Sequence, residues 1–323
     1  MTGASATIDD TLRVLLTPGK GMIAPDEHPD RLAQALGLDV PDVEARSRHR
    51  SMVLATPGLA NWISAAVVDA DALQPGLPGL DRAGPIIGVR LGSDTDNYRH
   101  GDSLAGRRLQ IQAALLLFRE EGARFVKWRA DLDPMRGAAA AYVDTRYLAA
   151  CAALSIRCDL VPVLDVAMPN QRTHSLSVAT AVTANALTAL FAELVENDVD
   201  PARVLVRMNM VRAGVSHETQ TSSRQVGVTT LRVLDGSLPD EAPGVMFMST
   251  GMSVTEACSD LAAISASAKV SEWRRPLTFG FSRALLQRGT RAWARDGEAA
   301  AQELIAQDCA AASAATSGSL LGV

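Results

Sequence analysis

Short apolar runs rich in β-branched residues recur eight times along this chain, at 22–24, 63–68, 86–91, 123–128, 160–164, 204–208, 245–248 and 277–281. Between them lie longer segments with helical spacing, clearest at 103–120, 139–154, 175–197 and 253–268. A strand that pairs in parallel with the next needs a crossover of a dozen or more residues, which a helix supplies, so the alternation predicts repeated βαβ units. Eight such units close into a (β/α)8 TIM barrel, an α/β fold for which 323 residues is an ordinary single-domain length. No stretch is rich enough in Pro, Gly and Ser to act as a linker. Residues 73–79 read as a loop, 1–16 as an amino-terminal helix and 310–323 as a frayed tail. In the segment 175–197, most of Val178, Val182, Leu187, Leu190, Phe191 and Leu194 are expected on one core-facing stripe.

Hydrophobic residues at 47% and charged residues at 21% match a globular chain, and a formal net charge of −5 gives no footprint for nucleic acid. A small-molecule partner is the default expectation. The first ten residues lack the basic and apolar regions of an export signal, and no apolar run approaches a bilayer span, so the expectation is a cytoplasmic protein with no membrane partner. Cys151, Cys158, Cys258 and Cys309 have no CxxC spacing and read as small buried hydrophobes. The histidines, His28, His49, His100, His174 and His217, are scattered, with no metal-binding spacing, and no Gly-rich phosphate loop follows a strand. No metal and no nucleotide cofactor is expected.

Barrels of this kind carry their reactive groups at the carboxyl ends of the strands. Polar residues stand there in most of the units: Asp26 and Glu27 after the first strand, Arg90 on the third, Lys127 and Arg129 on the fourth, Asp165 on the fifth, and Arg207 and Asn209 on the sixth. Ser249, Thr250 and Gly251 follow the seventh, and Arg283 follows the eighth. The period of two along a strand puts Lys127 and Arg129 on one face, and likewise Arg207 and Asn209. Arg90, Lys127, Arg129, Arg207 and Arg283 would make one mouth of an acidic protein basic, which suits a phosphate or carboxylate. Ser249-Thr250-Gly251 offers amides and a hydroxyl, and the last two loops are the usual phosphate site of such barrels.

These segments resemble, in order, those of class I fructose-bisphosphate aldolases. Pro18-Gly19-Lys20-Gly21-Met22-Ile23-Ala24 with Asp26-Glu27 is similar to the family's opening proline-glycine-lysine-glycine strand and its aspartate-glutamate pair. Phe125-Val126-Lys127-Trp128-Arg129 resembles phenylalanine-alanine-lysine-tryptophan-arginine, and Leu160-Val161-Pro162-Val163-Leu164-Asp165 resembles leucine-valine-proline-isoleucine-valine-glutamate. Phe279-Gly280-Phe281-Ser282-Arg283-Ala284-Leu285 resembles a segment containing serine-tyrosine-glycine-arginine-alanine-leucine, and Ser249-Thr250-Gly251 one containing serine-glycine-glycine. Val204 to Val211 resembles the strand leucine-leucine-lysine-proline-asparagine-methionine-valine, whose lysine forms the Schiff base; here that position is Arg207. A guanidinium stays protonated at any working pH and cannot attack a carbonyl as a desolvated lysine does.

The resemblance, covering about 16–293, implies roles residue by residue. Asp26 would position and activate an amine or substrate, Lys127 would contact substrate hydroxyls, and Arg129 would hold a distal anionic group. Ser249, Gly251 and Arg283 would hold the proximal phosphate. Asp165 takes the place of an acid/base glutamate, one methylene shorter; Ala167 replaces a second glutamate and Arg90 a lysine. The resemblance also implies homo-oligomers. Three readings stay open: an aldolase-type reaction on a phosphorylated carbonyl substrate with the amine moved to Lys127; a non-covalent isomerase or dehydratase in which Arg207 and Arg90 stabilise an enediolate while Asp165 or Asp26 moves a proton; and a binding-only descendant.

Overall fold

The computed structural model describes residues 7–26, 29–37, 39, 42–72, 84–91, 101–131, 138–168 and 173–319. Eight strands, all parallel, close into a barrel in sequence order: β1 (Gly21–Ile23), β2 (Ile63–Asp69), β3 (Ile86–Arg90), β4 (Phe125–Asp131), β5 (Val161–Ala167), β6 (Leu205–Asn209), β7 (Val245–Met248) and β8 (Leu277–Phe281), which pairs back onto β1. The helices are α1 (Ile8–Leu15), α2 (Pro29–Leu36), α3 (Val43–Leu54), α4 (Gly101–Glu120), α5 (Ala138–Arg157), α6 (Leu176–Glu196), α7 (Ser223–Ser237), α8 (Val254–Val270), α9 (Arg283–Asp296) and α10 (Glu298–Ala315). The TIM barrel read from the alternation is therefore the fold.

Side chains of alternate parity build two separate apolar cores. One, between sheet and helices, takes Val126, Trp128, Leu164, Val206, Met208 and Phe247 among its strand residues. The other fills the barrel from below: Met22, Ala65, Val67, Phe125, Val161, Val163, Leu205 and Met246 meet Ile8, Leu12, Leu15 and Leu16, the last following α1. The α1 helix thus plugs the amino-terminal end, its start fixed by a reciprocal cap between Thr7 and Asp10. With that end sealed by hydrocarbon, the polar residues of the same inward parity are left at the other end of the barrel.

One expectation holds and two change. The stripe on α6 runs through Ala179, Thr183, Ala186, Leu187, Leu190 and Leu194, with Phe191 beside it, so Val178 falls off it and is 40% exposed. That helix, with 21 residues and mean hydropathy 1.6, is also long and apolar enough to span a bilayer, contrary to the reading that no run comes close. Its apolarity serves the barrel wall, where Leu187, Leu190 and Leu194 are wholly buried. The tail expected to fray from 310 is helical to Ala315: Ala311, Ala312 and Ala315 are buried and the Ser313 hydroxyl donates to the Gly19 carbonyl at 2.6 Å. Small residues there let α10 pack closely rather than leaving it loose. All four cysteines are buried and unpaired. The loop read at 73–79, residues 1–6 of the amino-terminal segment, and Glu27 and His28 lie outside the described residues.

Candidate active site

Sheet register decides which polar side chains meet. Asp69 on β2 is paired with Arg90 on β3, and Arg90 with Lys127 on β4. One layer further up, Arg129 on β4 is paired with Asp165 on β5, and Asp165 with Arg207 on β6. Two rows of charged residues thus cross the mouth of the barrel, the second alternating in sign, each generated by strands that change from apolar to charged at the same inward parity.

Arg207 points into the barrel and is 4% exposed. Its Nε and Nη2 donate to the Gly280 carbonyl oxygen on β8 at 2.9 and 2.6 Å, and its Nη1 donates to Asp165 Oδ2 at 2.5 Å. Of the five N–H groups of a guanidinium, three are so used among the described residues, which leaves one on each terminal nitrogen for a substrate oxygen. Residue 280 must be glycine in this arrangement: a Cβ there would lie 2.5 Å from Met246 Sδ and 2.7 Å from Arg207 Nε. Asp165 is wholly buried, and its Oδ1 has no hydrogen-bond partner among the described residues.

Lys127 is 5% exposed and donates to Asp26 Oδ2 at 2.5 Å. Burial pushes the Asp26 carboxyl up, but Lys127, Arg90 and Arg207 together outweigh it and hold the group below its usual value. Burial pushes the Lys127 amine down, and Arg207 adds to this, against the opposing pull of Asp26 and Asp165; the net is an amine easier to deprotonate than a surface lysine. The other two lysines are elsewhere: Lys20 Nζ donates to the Ala60 carbonyl just before β1, and Lys269 Nζ, late in α8, to that of Ser317.

The remaining sequence-derived residues divide. Arg90 joins the cluster, with Nη2 at 2.6 Å from Asp69 Oδ1 and Nε at 3.5 Å from Asp26 Oδ2. Arg129 stands at the rim, half-exposed, closed on Asp131 at 2.8 Å. Asn209 instead clamps the backbone at the end of β5, accepting from the Met168 amide at 2.8 Å and donating to its carbonyl at 3.0 Å. Ser249 is buried, and the turn Ser249 to Met252 closes with a 2.9 Å amide-to-carbonyl bond, Thr250 and Gly251 both at positive φ, 25° and 82°. Beside it α9 starts at Ser282 with no side-chain cap, and the first-turn residue Arg283 is exposed, without an ion pair among the described residues. By contrast α8 is sealed by a Ser253–Glu256 capping box. The uncapped helix end, the turn and the arginine offer donors of one sign to an anion.

Strand-end reasoning missed three charges. Asp69 and Asp131 have the inward parity of Val67 and Arg129 and would have been found had β2 and β4 been extended past 68 and 128. Arg46, in contact with Asp69 Oδ2, comes from α3, and nothing local in the sequence marks it. With Asp26, Asp69, Asp131 and Asp165 interleaved, the mouth is a lattice of ion pairs, not the plain basic pocket expected from its arginines. Among the described residues no three His, Cys, Asp or Glu side chains group to hold a metal ion.

Residues 7–322 match the family described as fructose-bisphosphate aldolase class-I. The chain belongs to that family. It is 30% identical to the fructose-bisphosphate aldolase of Plasmodium falciparum, with 97% of this chain and 89% of the relative covered. A probable fructose-bisphosphate aldolase class 1 of Xanthomonas axonopodis pv. citri is 27% identical, with 89% of each covered. Among solved structures, a Plasmodium falciparum fructose-bisphosphate aldolase in complex with TRAP and a small-molecule inhibitor superimposes with a TM-score of 0.86 at 28% identity, over 98% of this chain and 95% of that one. Within this fold the Arg207 guanidinium is seated on Gly280 and Asp165, inside the carboxyl-terminal mouth of the barrel.

Proposed function

We propose that this chain is an aldolase-type carbon–carbon lyase or transferase acting on a phosphorylated carbonyl substrate, with Lys127 as its amine. The observation that carries this is the contact between Lys127 Nζ and Asp26 Oδ2 at 2.5 Å, in a buried site beside Asp165 and Arg207. The substrate phosphate would sit at Arg283 and the turn Ser249-Thr250-Gly251. Asp26 takes the ammonium proton and the free amine attacks the carbonyl carbon; Asp26 returns that proton to the carbinolamine hydroxyl, which leaves as water, giving an iminium. Asp165 then takes the proton from the hydroxyl on the β-carbon, the carbon–carbon bond breaks with its electrons flowing to the iminium, and an aldehyde departs. Protonation and hydrolysis of the remaining enamine return the keto product and Lys127. Arg207 holds a substrate oxygen with its spare N–H groups. The reaction takes place in a small-molecule site of a protein we expect to be cytoplasmic, to form homo-oligomers and to need no cofactor.

A non-covalent reading has its own support, the unpartnered Asp165 Oδ1 beside the spare donors of Arg207. There Asp165 would move a proton while Arg207 stabilises an enediolate, as in an isomerase or dehydratase. Turnover of phosphorylated ketoses by the intact chain and by Lys127→Met decides between them. Cleavage abolished in the variant supports the amine. Isomerisation or dehydration that survives in Lys127→Met supports the second reading.

A further inference from the structure

The β1 to β4 side of the mouth holds a closed set of charges that the proposed reaction leaves largely unused. Asp69 Oδ1 accepts from Arg90 Nη2 and Nε at 2.6 and 3.1 Å, and Arg46 from α3 contacts Oδ2 of the same carboxylate. Asp26 lies between Arg90 and Lys127, and Arg129 is closed on Asp131. Every one of these cations touches a carboxylate, and the side chains of Arg46, Asp69 and Arg90 are only 16%, 10% and 15% exposed. On the β7 to β8 side the situation is reversed: Arg283 is exposed and has no ion pair among the described residues, next to an uncapped helix end.

An anion arriving on the β1 to β4 side would have to draw a guanidinium away from Asp69 or Asp131 and would then lie beside the carboxylate it displaced. A hydroxylated chain meets no such conflict, because it accepts from guanidinium N–H groups and donates to carboxylate oxygens with the pairs intact. Among the described residues the mouth therefore offers an open seat for one anion, at one end.

We propose that Asp69 is a specificity-determining residue that excludes a second phosphate, so that the substrate is a monophosphorylated carbonyl compound with an uncharged, hydroxyl-bearing far end. The proposal rests on the reading above that Arg283 and the turn Ser249-Thr250-Gly251 seat a phosphate. Calorimetric titration of the full chain with mannitol 1-phosphate and mannitol 1,6-bisphosphate tests it, since these alditols have no carbonyl to react. The expected result is that the monophosphate binds the unaltered chain about 10-fold or more tightly than the bisphosphate, and that Asp69→Asn tightens the bisphosphate by about 10-fold while leaving the monophosphate within about 3-fold. A bisphosphate that binds the unaltered chain as tightly as the monophosphate overturns the proposal, and that comparison stands even if Asp69→Asn does not fold. A folded Asp69→Asn with an unchanged preference overturns it as well. If the monophosphate binds and discrimination is absent, the proposal fails while the phosphate seat stands; if neither alditol binds, the phosphate seat fails and the proposal with it.

Discussion

The guanidinium of Arg207 lies against the backbone of Gly280, two of its nitrogens 2.9 and 2.6 Å from that carbonyl, in space that a side chain at 280 would need. Gly280→Ala puts a methyl 2.5 Å from Met246 Sδ and 2.7 Å from Arg207 Nε, and overpacking of this kind costs about 1–3 kcal/mol. Urea denaturation of Gly280→Ala, Arg207→Lys and the double variant measures the coupling. The two losses should be non-additive by about 0.5–3 kcal/mol, because the slimmer lysine frees room for the methyl. Additive losses would mean the two positions are independent.

Arg207 is also the counter-ion of a carboxylate with no solvent exposure, Asp165, at 2.5 Å. Removing one partner of a buried pair leaves an uncompensated charge, so Arg207→Met should lower stability by about 3–5 kcal/mol in denaturant titration. Arg207→Lys, which keeps a cation but loses the fork onto Gly280, should lose clearly less.

The phosphate seat makes a separate prediction. Hydrogen bonds to charged groups contribute about 1.5–3 kcal/mol, so Arg283→Met should weaken dihydroxyacetone phosphate about 10- to 100-fold while the melting temperature hardly moves, since Arg283 is exposed and unpaired among the described residues. Unchanged affinity would place the phosphate elsewhere.

Two buried groups far along the chain from each other should shape stability in mild acid with opposite signs. His49, whose Nε2 lies 2.9 Å from the Thr290 hydroxyl, is pushed down by burial and by Arg50 from 6.5 to about 4. The unfolded chain protonates it first, so His49 takes stability away as pH falls from 6.5 to 4. Asp308 is pushed up by burial, against Arg288, to about 6 from 3.8; the folded chain binds that proton first, so stability is gained as pH falls through the same range. In urea titrations between pH 4 and 7, His49→Asn should flatten the acid loss and Asp308→Asn should steepen it.

The barrel was legible because apolar runs, crossover lengths and strand-end polar residues all point one way, and the inward parity of Lys127 with Arg129 follows from the strand period alone. What the sequence hid was charge balance. Asp69 and Asp131 sit one and three residues beyond the apolar runs that mark β2 and β4, where the hydrophobic pattern no longer signals a strand. Arg46 reaches the mouth from a helix distant in sequence, through packing that no local pattern encodes. The role of Asn209 was hidden for a similar reason: its parity is right for the pocket, yet its amide is taken by the backbone of Met168 on the neighbouring strand end.

The amine at Lys127 is tested most directly by trapping. The intact chain is incubated with dihydroxyacetone phosphate, reduced with borohydride, and the site of any adduct is read by peptide mass spectrometry. One reduced adduct is expected, on Lys127, and absent from Lys127→Met. Turnover with no adduct, or an adduct on Lys20 or Lys269, would contradict the assignment.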